Sequence, residues 1–210
     1  MLTAIDPTTG TVIREVKPAA PDQVEAILAG AAAAFPGWRD TGFGERAELL
    51  RAVAAEMRRD VDALGALMTE EMGKPVREAR GEVEKAAWCA EHYADHAEAY
   101  LSADVIESDA SSSYVQYLPL GTILGVLPWN APFWLAFRFA APALMAGNTC
   151  VMKHDPHVPG CAAAIADVFT RVGAPDGVFG NLPIETPAVE GVIRDERIRG
   201  VSFTGSDRGG

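Results

Sequence analysis

Three polar segments in the second half of the chain carry groups that suit a nucleotide. Asn130, Lys153 and the pair Gly205 and Ser206 each come shortly after an apolar run. The amide of Asn130 could donate a hydrogen bond to a developing oxyanion in a dry, fixed site. The ammonium of Lys153 could meet a ribose or phosphate oxygen. If Gly205 and Ser206 open a helix, their backbone N–H groups suit a pyrophosphate.

Each of these signals also has an ordinary structural explanation. An asparagine after a strand is most often a turn residue, and a lysine leaving a strand is usually solvated. The dinucleotide fingerprint G-x-G-x-x-G is missing, and Gly121 and Gly125 are better explained as turn or close-packing glycines. These residues by themselves indicate an α/β domain that binds a nucleotide.

The elements that must position these groups alternate between short apolar strands and helices. Strands are predicted at 123–127, 149–152, 178–182 and 200–203, with helices between them at 132–145, 159–172 and 187–194. Short buried strands separated by helices are typical of right-handed βαβ units. The pattern predicts a parallel sheet with helices on both faces, whose ligands bind beyond the carboxyl ends of the strands.

The first part of the chain is predicted to be mainly helical. A strand, a turn and a second strand are expected over residues 3–16. Asp22 is then a plausible N-cap of a helix that ends near residues 35–37, where proline and glycine would stop it. Apolar residues at helical spacing predict three more helices, at 43–60, 61–72 and 76–101. Residues 105–121 are interpreted as a strand ribbon, with an alternating strand at 114–118.

Composition limits the class of protein. The 210 residues are 49% hydrophobic and 22% charged, which is ordinary for a folded globular chain. A formal charge of -11 argues against a nucleic-acid partner and favours a small ligand or another protein. The three cysteines have no metal-ligand spacing, which indicates buried thiols in a reducing compartment. Without a signal sequence or a membrane-length apolar run, a cytoplasmic location is expected.

Five short strings in a fixed order carry a family resemblance. Together they resemble the aldehyde dehydrogenase superfamily over essentially the whole chain. The segments M-G-K at 72–74, L-P-I at 182–184 and K-H at 153–154 are most similar to the succinate-semialdehyde dehydrogenase branch. The five strings are E-M-G-K-P at 71–75, L-P-W-N-A-P at 127–132, P-A-L-M-A-G-N-T at 142–149, V-M-K at 151–153 and F-T-G-S at 203–206.

The resemblance implies a fold and a division into domains. Members of this family have an atypical Rossmann-like domain that lacks the glycine fingerprint, a catalytic domain, and a strand ribbon used for oligomerisation. Residues 1–210 would then be the NAD(P)-binding domain, incomplete at its C-terminus, with residues 105–121 forming part of the ribbon and the catalytic domain absent. A homo-oligomer is expected for the full-length form.

The resemblance also implies roles for individual residues. Asn130 matches the asparagine of the family's oxyanion hole and also lies at the cofactor. The other positions share contact with NADP or NAD: they line the nicotinamide end, the adenosine ribose or the pyrophosphate. These cofactor positions are Leu127, Trp129, Lys153, His154, Asp155, Pro156, Gly205 and Ser206.

The choice between NADP and NAD depends on two neighbouring positions. Pro156 stands where NAD-preferring members often carry a glutamate for the ribose hydroxyls. Without that carboxylate a 2′-phosphate meets no like-charge repulsion, so NADP becomes acceptable. Asp155 works against this inference because its own charge would repel the phosphate. Both cofactors remain open, with NADP slightly favoured.

Arg138 is the candidate for binding the substrate. Related semialdehyde dehydrogenases place an arginine here against the substrate carboxylate, and a guanidinium fork matches a carboxylate well. The alternative is a surface arginine whose stem packs along Phe137 or Leu135. The next residue, Phe139, replaces a lysine that is common elsewhere in the superfamily, which argues against a proton relay there.

The family's chemistry needs a cysteine nucleophile and a glutamate base. In related chains both follow the F-T-G-S string, and neither of their surrounding motifs is found here. The resemblance therefore implies NAD(P)-dependent aldehyde oxidation for the full-length family and an inactive chain of 210 residues. The alternative is a non-catalytic module that binds a cofactor or another subunit.

Overall fold

A central parallel sheet with helices on both faces organises the chain. The computed structural model describes residues 1–207 and 209–210. The strands are β1 Leu2–Ile5, β2 Val12–Val16, β3 Asp104–Val105, β4 Tyr114–Val115, β5 Thr122–Val126, β6 Thr149–Lys153, β7 Phe179–Asn181 and β8 Ile198–Phe203. The helices are α1 Pro21–Asp40, α2 Phe43–Arg59, α3 Val61–Met72, α4 Val76–Tyr100, α5 Pro132–Met145, α6 Pro159–Arg171 and α7 Val189–Ile193, the last preceded by a 3₁₀ turn at Thr186–Ala188.

The sheet has the strand order β7-β6-β5-β8, with every neighbouring pair parallel. The chain moves outward from β5 through β6 to β7 and then crosses back to place β8 on the other side of β5. In the register, Val126 is opposite both Lys153 and Phe203. Consequently the segments that follow these three strands begin at one edge, as predicted.

Side chains on the two faces of the sheet enter different cores. Cys150 and Met152 of β6 point into the larger core, which α2 to α6 build. Val151, between them, points into a smaller core beneath α1 and α7. This alternation, together with helices on both faces, confirms the predicted fold class.

Helix α1 differs from its prediction at both ends. Its N-cap is Ala20, with Pro21 in the first turn, so the assignment of Asp22 as N-cap is wrong. Proline suits the first helical position because its missing N–H has no partner there. The expected stop at 35–37 is also wrong, because the helix continues through Pro36 to Asp40. The extra turn is held by Trp38, which is buried and donates from Nε1 to the Leu144 carbonyl at 3.1 Å.

Two antiparallel ribbons lie outside the main sheet. One pairs β1 with β2, and the other pairs β3 with β4. The strand predicted at 114–118 forms only over Tyr114–Val115, because Asp104 and Val105 provide just two paired residues. Side chains of this second ribbon, including Val105 and Leu118, are largely exposed. Its use in oligomerisation stays a prediction.

Gly125 allows α5 to pack closely on the sheet. A Cβ built at Gly125 would overlap the ring of Phe139. Gly121 has a φ of 137° and lies against the Arg199 stem, so its backbone conformation also favours glycine. The interpretation of both residues as packing or turn glycines is confirmed.

No helix among the described residues combines the length and the apolarity that a membrane-crossing segment requires.

We expect Gly125→Ala to lower the free energy of unfolding by about 1–3 kcal/mol, because the added methyl group overlaps the Phe139 ring. Urea unfolding followed by circular dichroism measures the change. Gly81→Ala is the matched control: Gly81 lies within α4 with open space around its Cα, so this change should stabilise by up to about 1 kcal/mol. Equal stability of Gly125→Ala and wild type would contradict the packing argument.

Candidate active site at the carboxyl edge of the sheet

Backbone hydrogen bonds bring the predicted segments together. The N–H of Leu127 donates to the Lys153 carbonyl at 3.0 Å, and the N–H of Thr204 donates to the Val126 carbonyl at 3.0 Å. The segments after β5, β6 and β8 therefore leave the sheet side by side. Their predicted binding roles remain predictions, but their closeness is a feature of the fold.

Lys153 is a buried cation with no partner among the described residues. Only 4% of the residue is exposed, and its ammonium forms no hydrogen bond or ion pair within the described chain. Burial lowers the pKa of Lys153, and the nearby charge of Asp155 partly opposes this effect. As the side chain lies two residues beyond Val151, it points to the α1 side of the sheet. A desolvated ammonium there can donate to an anionic or hydroxyl ligand.

His154 points to the opposite side and ties two segments together. Its Nδ1 accepts from the Asp155 N–H at 3.1 Å, which leaves Nε2 to donate to the Pro132 carbonyl at 3.1 Å. Burial lowers the pKa of His154 to about 4, so the ring is neutral near pH 7. Both ring nitrogens are thus occupied by backbone groups. Direct contact with a cofactor stays a prediction and would require one of these bonds to break.

The turn after His154 restrains the acidic neighbour of Lys153. The carboxylate of Asp155 accepts hydrogen bonds from Nδ1 of His157 at 2.6 Å and from its backbone N–H at 3.0 Å. Pro156, between them, is half-buried and has neither a charge nor an N–H. The carboxylate of Asp155 is thus held against His157, while its charge still acts on Lys153.

The loop after β5 presents two exposed side chains. The side chain of Leu127 is buried in the larger core, whereas Trp129 is 47% exposed and Asn130 is exposed. The Asn130 carbonyl accepts a hydrogen bond from Nζ of Lys74 at 2.9 Å. Its amide is therefore free to meet a ligand while its backbone is held.

Gly205 and Ser206 are exposed but do not open a helix. The N–H groups of Gly209 and Gly210 donate to the Ser206 carbonyl at 2.9 and 3.2 Å, which closes a turn. The described residues after Ser206 form no helix, so the expected helix start is not found there. A pyrophosphate role for Gly205 and Ser206 stays a prediction.

Arg138 reaches from α5 to the end of β8. Its Nη2 donates to Oγ1 of Thr204 at 3.2 Å. The same arginine lines a mainly apolar cavity of about 440 Å³, whose walls include Tyr93, Ile123 and Phe139. A guanidinium beside an apolar cavity suits a short carbon chain that ends in a carboxylate.

Two buried glutamates were not identified from the sequence. Glu71 of α3 accepts from the N–H groups of Gly160 and Cys161 at 2.8 and 2.9 Å, and thus caps α6. Glu82 of α4 accepts from the first N–H groups of α5 in the same way. Glu71 lies in the string E-M-G-K-P, which carried the family resemblance but no structural role, and Glu82 lies outside all five strings. A contact between residues so far apart in sequence has no periodic pattern that could reveal it.

The three cysteines are poorly suited to act as nucleophiles. All three are buried. Burial raises the pKa of Cys89 to about 11, and burial also raises the pKa values of Cys150 and Cys161. A thiol attacks as the thiolate, so these side chains are expected to be inert near neutral pH.

The fold and the edge groups define an open α/β domain with a polar ligand edge at the carboxyl ends of its parallel strands. The sequence pattern of the aldehyde dehydrogenase family matches residues 1–210, and the chain belongs to that family. The predicted family resemblance is thereby confirmed.

The chain spans about half the length of the relatives it matches. It is 43% identical over 212 residues to succinate-semialdehyde dehydrogenase [NADP(+)] 1 of Mycobacterium tuberculosis strain H37Rv, covering 100% of this chain and 46% of the relative. It is also 43% identical over 209 residues to a probable succinate-semialdehyde dehydrogenase [NADP(+)] of Synechocystis, with the same two coverages. A crystal structure of succinic semialdehyde dehydrogenase from Streptococcus pyogenes with NADP+ matches with a TM-score of 0.95 and 35% identity, over 99% of this chain and 46% of that one.

We expect the stability to fall as pH drops between 6.5 and about 4 because of His154. The pKa of its folded form lies below the ordinary value, so the unfolded chain binds more protons in this window. The loss should reach about 2 kcal/mol by pH 5. Urea unfolding at pH 7.5 and pH 5 measures it, with His154→Gln expected to flatten the slope.

His157→Gln is the control for that measurement, because His157 is an exposed histidine three residues away. It should keep the pH dependence of the wild type. An unchanged slope in His154→Gln would show that the buried ring does not titrate as described.

Proposed function

We propose that this chain is the nucleotide-binding part of an aldehyde dehydrogenase that oxidises succinate semialdehyde to the dicarboxylic acid. NADP or NAD would accept the hydride that leaves the aldehyde carbon. Residues 1–210 would form the cofactor-binding domain, with residues 105–121 contributing to an oligomerisation ribbon of a homo-oligomer. The names of the relatives from Mycobacterium tuberculosis and Synechocystis support both the substrate and the use of NADP.

The observation that carries this proposal is the buried side chain of Lys153, whose ammonium has no hydrogen-bond or ion-pair partner in the described chain. Burial of the side chain costs the charge part of its hydration, and an anionic or hydroxyl ligand would compensate that cost. Its position, one strand away from the segment that holds Asn130, is where open α/β sheets bind ligands. The donors of Lys153 fit the hydroxyl or phosphate oxygens of an adenosine ribose.

NADP is the favoured cofactor. The uncharged Pro156 leaves a 2′-phosphate without a repelling carboxylate, and Asp155 is engaged by His157. The cation of Lys153 lies next to this turn and would attract the phosphate. NAD remains the alternative, since these contacts also leave room for a ribose hydroxyl.

Asn130 and Arg138 would bind opposite ends of the substrate. The exposed amide of Asn130 can donate to the aldehyde oxygen as negative charge develops on it. Arg138, eight residues after Asn130, can bind the distal carboxylate, and the apolar cavity that it lines continues from there toward the end of α5. This spacing favours a short semialdehyde over an uncharged aldehyde.

The second candidate function is a module that binds a cofactor or another subunit without catalysis. The burial of Cys89, Cys150 and Cys161 favours it, since none of these thiols is prepared for attack on an aldehyde. The two candidates share the nucleotide site and differ in whether a substrate binds beside it.

We expect Lys153→Met to weaken NADP binding about ten- to hundredfold, because a charge-assisted hydrogen bond is lost. Isothermal titration calorimetry with the purified chain gives the dissociation constant. Lys17→Met, an exposed lysine without an ion pair in the described chain, is the matched control and should bind NADP as the wild type does. Absence of NADP and NAD binding by the folded wild type would overturn the proposed function.

We expect Arg138→Leu to weaken binding of succinate semialdehyde by about tenfold or more and to leave butanal unaffected. The two ligands have the same four-carbon chain, so the difference isolates the carboxylate. Ligand-observed NMR on the NADP-loaded chain measures both, with Arg77→Leu as a control on an exposed arginine. An equal loss for both aldehydes would remove the carboxylate role, and absence of binding of either aldehyde to the wild-type chain would favour the second candidate.

A further inference from the structure

Helix α5 begins without a capping side chain of its own. Its N-cap, Ala131, has no side-chain oxygen to offer. The first free N–H groups, those of Phe133 and Trp134, instead donate to Oε1 of Glu82 at 2.9 and 3.2 Å. Glu82 comes from α4, some fifty residues earlier, and its side chain is 7% exposed. The start of α5 is therefore fixed by a buried, distant carboxylate.

Lys74 completes this contact on the side of Asn130. Its ammonium forms an ion pair with Oε2 of Glu82 and donates to the Asn130 carbonyl at 2.9 Å. Lys74 therefore bonds the start of the loop at the Asn130 carbonyl, and Glu82 bonds its end at the N–H of Phe133. The ion pair between Lys74 and Glu82 is largely buried, whereas the bond to the Asn130 carbonyl lies at the exposed loop.

We propose that Lys74 and Glu82 are positioning residues that fix the backbone of Asn130, and with it the direction in which its amide points. An oxyanion donor is effective only when it is held in place before the reaction. No other side chain in the described chain bonds to Asn130, and its own side chain is exposed. The contribution to catalysis rests on the proposed function, whereas the positioning itself is a property of this chain alone.

The variant Lys74→Met separates positioning from helix capping. It frees the Asn130 carbonyl but leaves the carboxylate of Glu82 on the α5 N–H groups. A natural comparison exists at α6, where Glu71 caps the helix and Arg14 binds Glu71 through Nε at 2.9 Å. Arg14→Met removes the basic partner of that second cap and does not touch the Asn130 loop.

Selective ¹⁵N-asparagine labelling gives a direct readout, because the chain has three asparagines, at positions 130, 148 and 181. Asn130→Asp assigns the Asn130 signals. Asn148 reports on folding, since its Oδ1 accepts from the N–H groups of Leu120 and Gly121 at 2.7 and 3.1 Å. Relaxation measurements then give the backbone order parameter at each position.

In Lys74→Met, we expect the order parameter of Asn130 to fall from about 0.85 to below about 0.6, with Asn148 unchanged. Lys74→Arg, which keeps the charge and a donor, should restore rigidity, and Arg14→Met should leave Asn130 rigid. A rigid Asn130 in folded Lys74→Met would overturn the proposal. If Lys74→Met does not fold, Lys74→Ser takes its place, since its short side chain cannot reach the Asn130 carbonyl, and a rigid Asn130 there would overturn the proposal equally.

An NADP titration of the same labelled wild-type chain keeps the two proposals distinct. Movement of the Asn130 signals on adding NADP supports a cofactor site beside this loop. If NADP moves no signal while Lys74→Met still mobilises Asn130, the proposed function fails and the positioning role of Lys74 stands.

Discussion

Capping of two helices by distant carboxylates is the interaction on which the site depends. Helices α5 and α6 follow the two central strands, and each starts at the ligand edge with unpaired N–H groups and a partial positive charge. Glu82 and Glu71, which belong to the N-terminal helices, satisfy these groups across 51 and 89 residues of sequence. The helical half of the chain thereby holds the loops of the sheet half in place. A disturbance of the turn between α3 and α4 would reach both loops at once.

The alternation of side chains along β6 separates the roles of two neighbouring residues. Lys153 and His154 are adjacent, but the alternation of a strand sends one to the α1 side and the other to the α5 side. The lysine is left without a partner, while the histidine is fully bonded to backbone. This contrast separates a group available to a ligand from a group that holds the structure together, although both are buried and titratable.

The apolar and helical patterns of the sequence predict the fold class, but they do not predict the exact helix ends or the contacts between distant side chains. Apolar runs separated by helices predicted the parallel sheet because strand burial and helical period are local properties. The end of α1 was mispredicted because Trp38 supplies a distant tertiary contact that outweighs the local effect of Pro36. Glu71 and Glu82 were missed for the same reason, since their partners are remote. The segments that carry the predicted edge residues leave the sheet side by side, but their closeness does not establish which ligand atoms those residues bind.

The contact between Gly125 and Phe139 links strand β5 to α5, the helix that directly follows it. Strand β5 has a glycine at this point, and the aromatic ring of Phe139 from α5 occupies the space that a side chain would need. The two residues share one fixed volume, so neither can be exchanged freely. Across relatives, we would look for paired exchanges, with a narrower side chain at position 139 wherever position 125 acquires a methyl group.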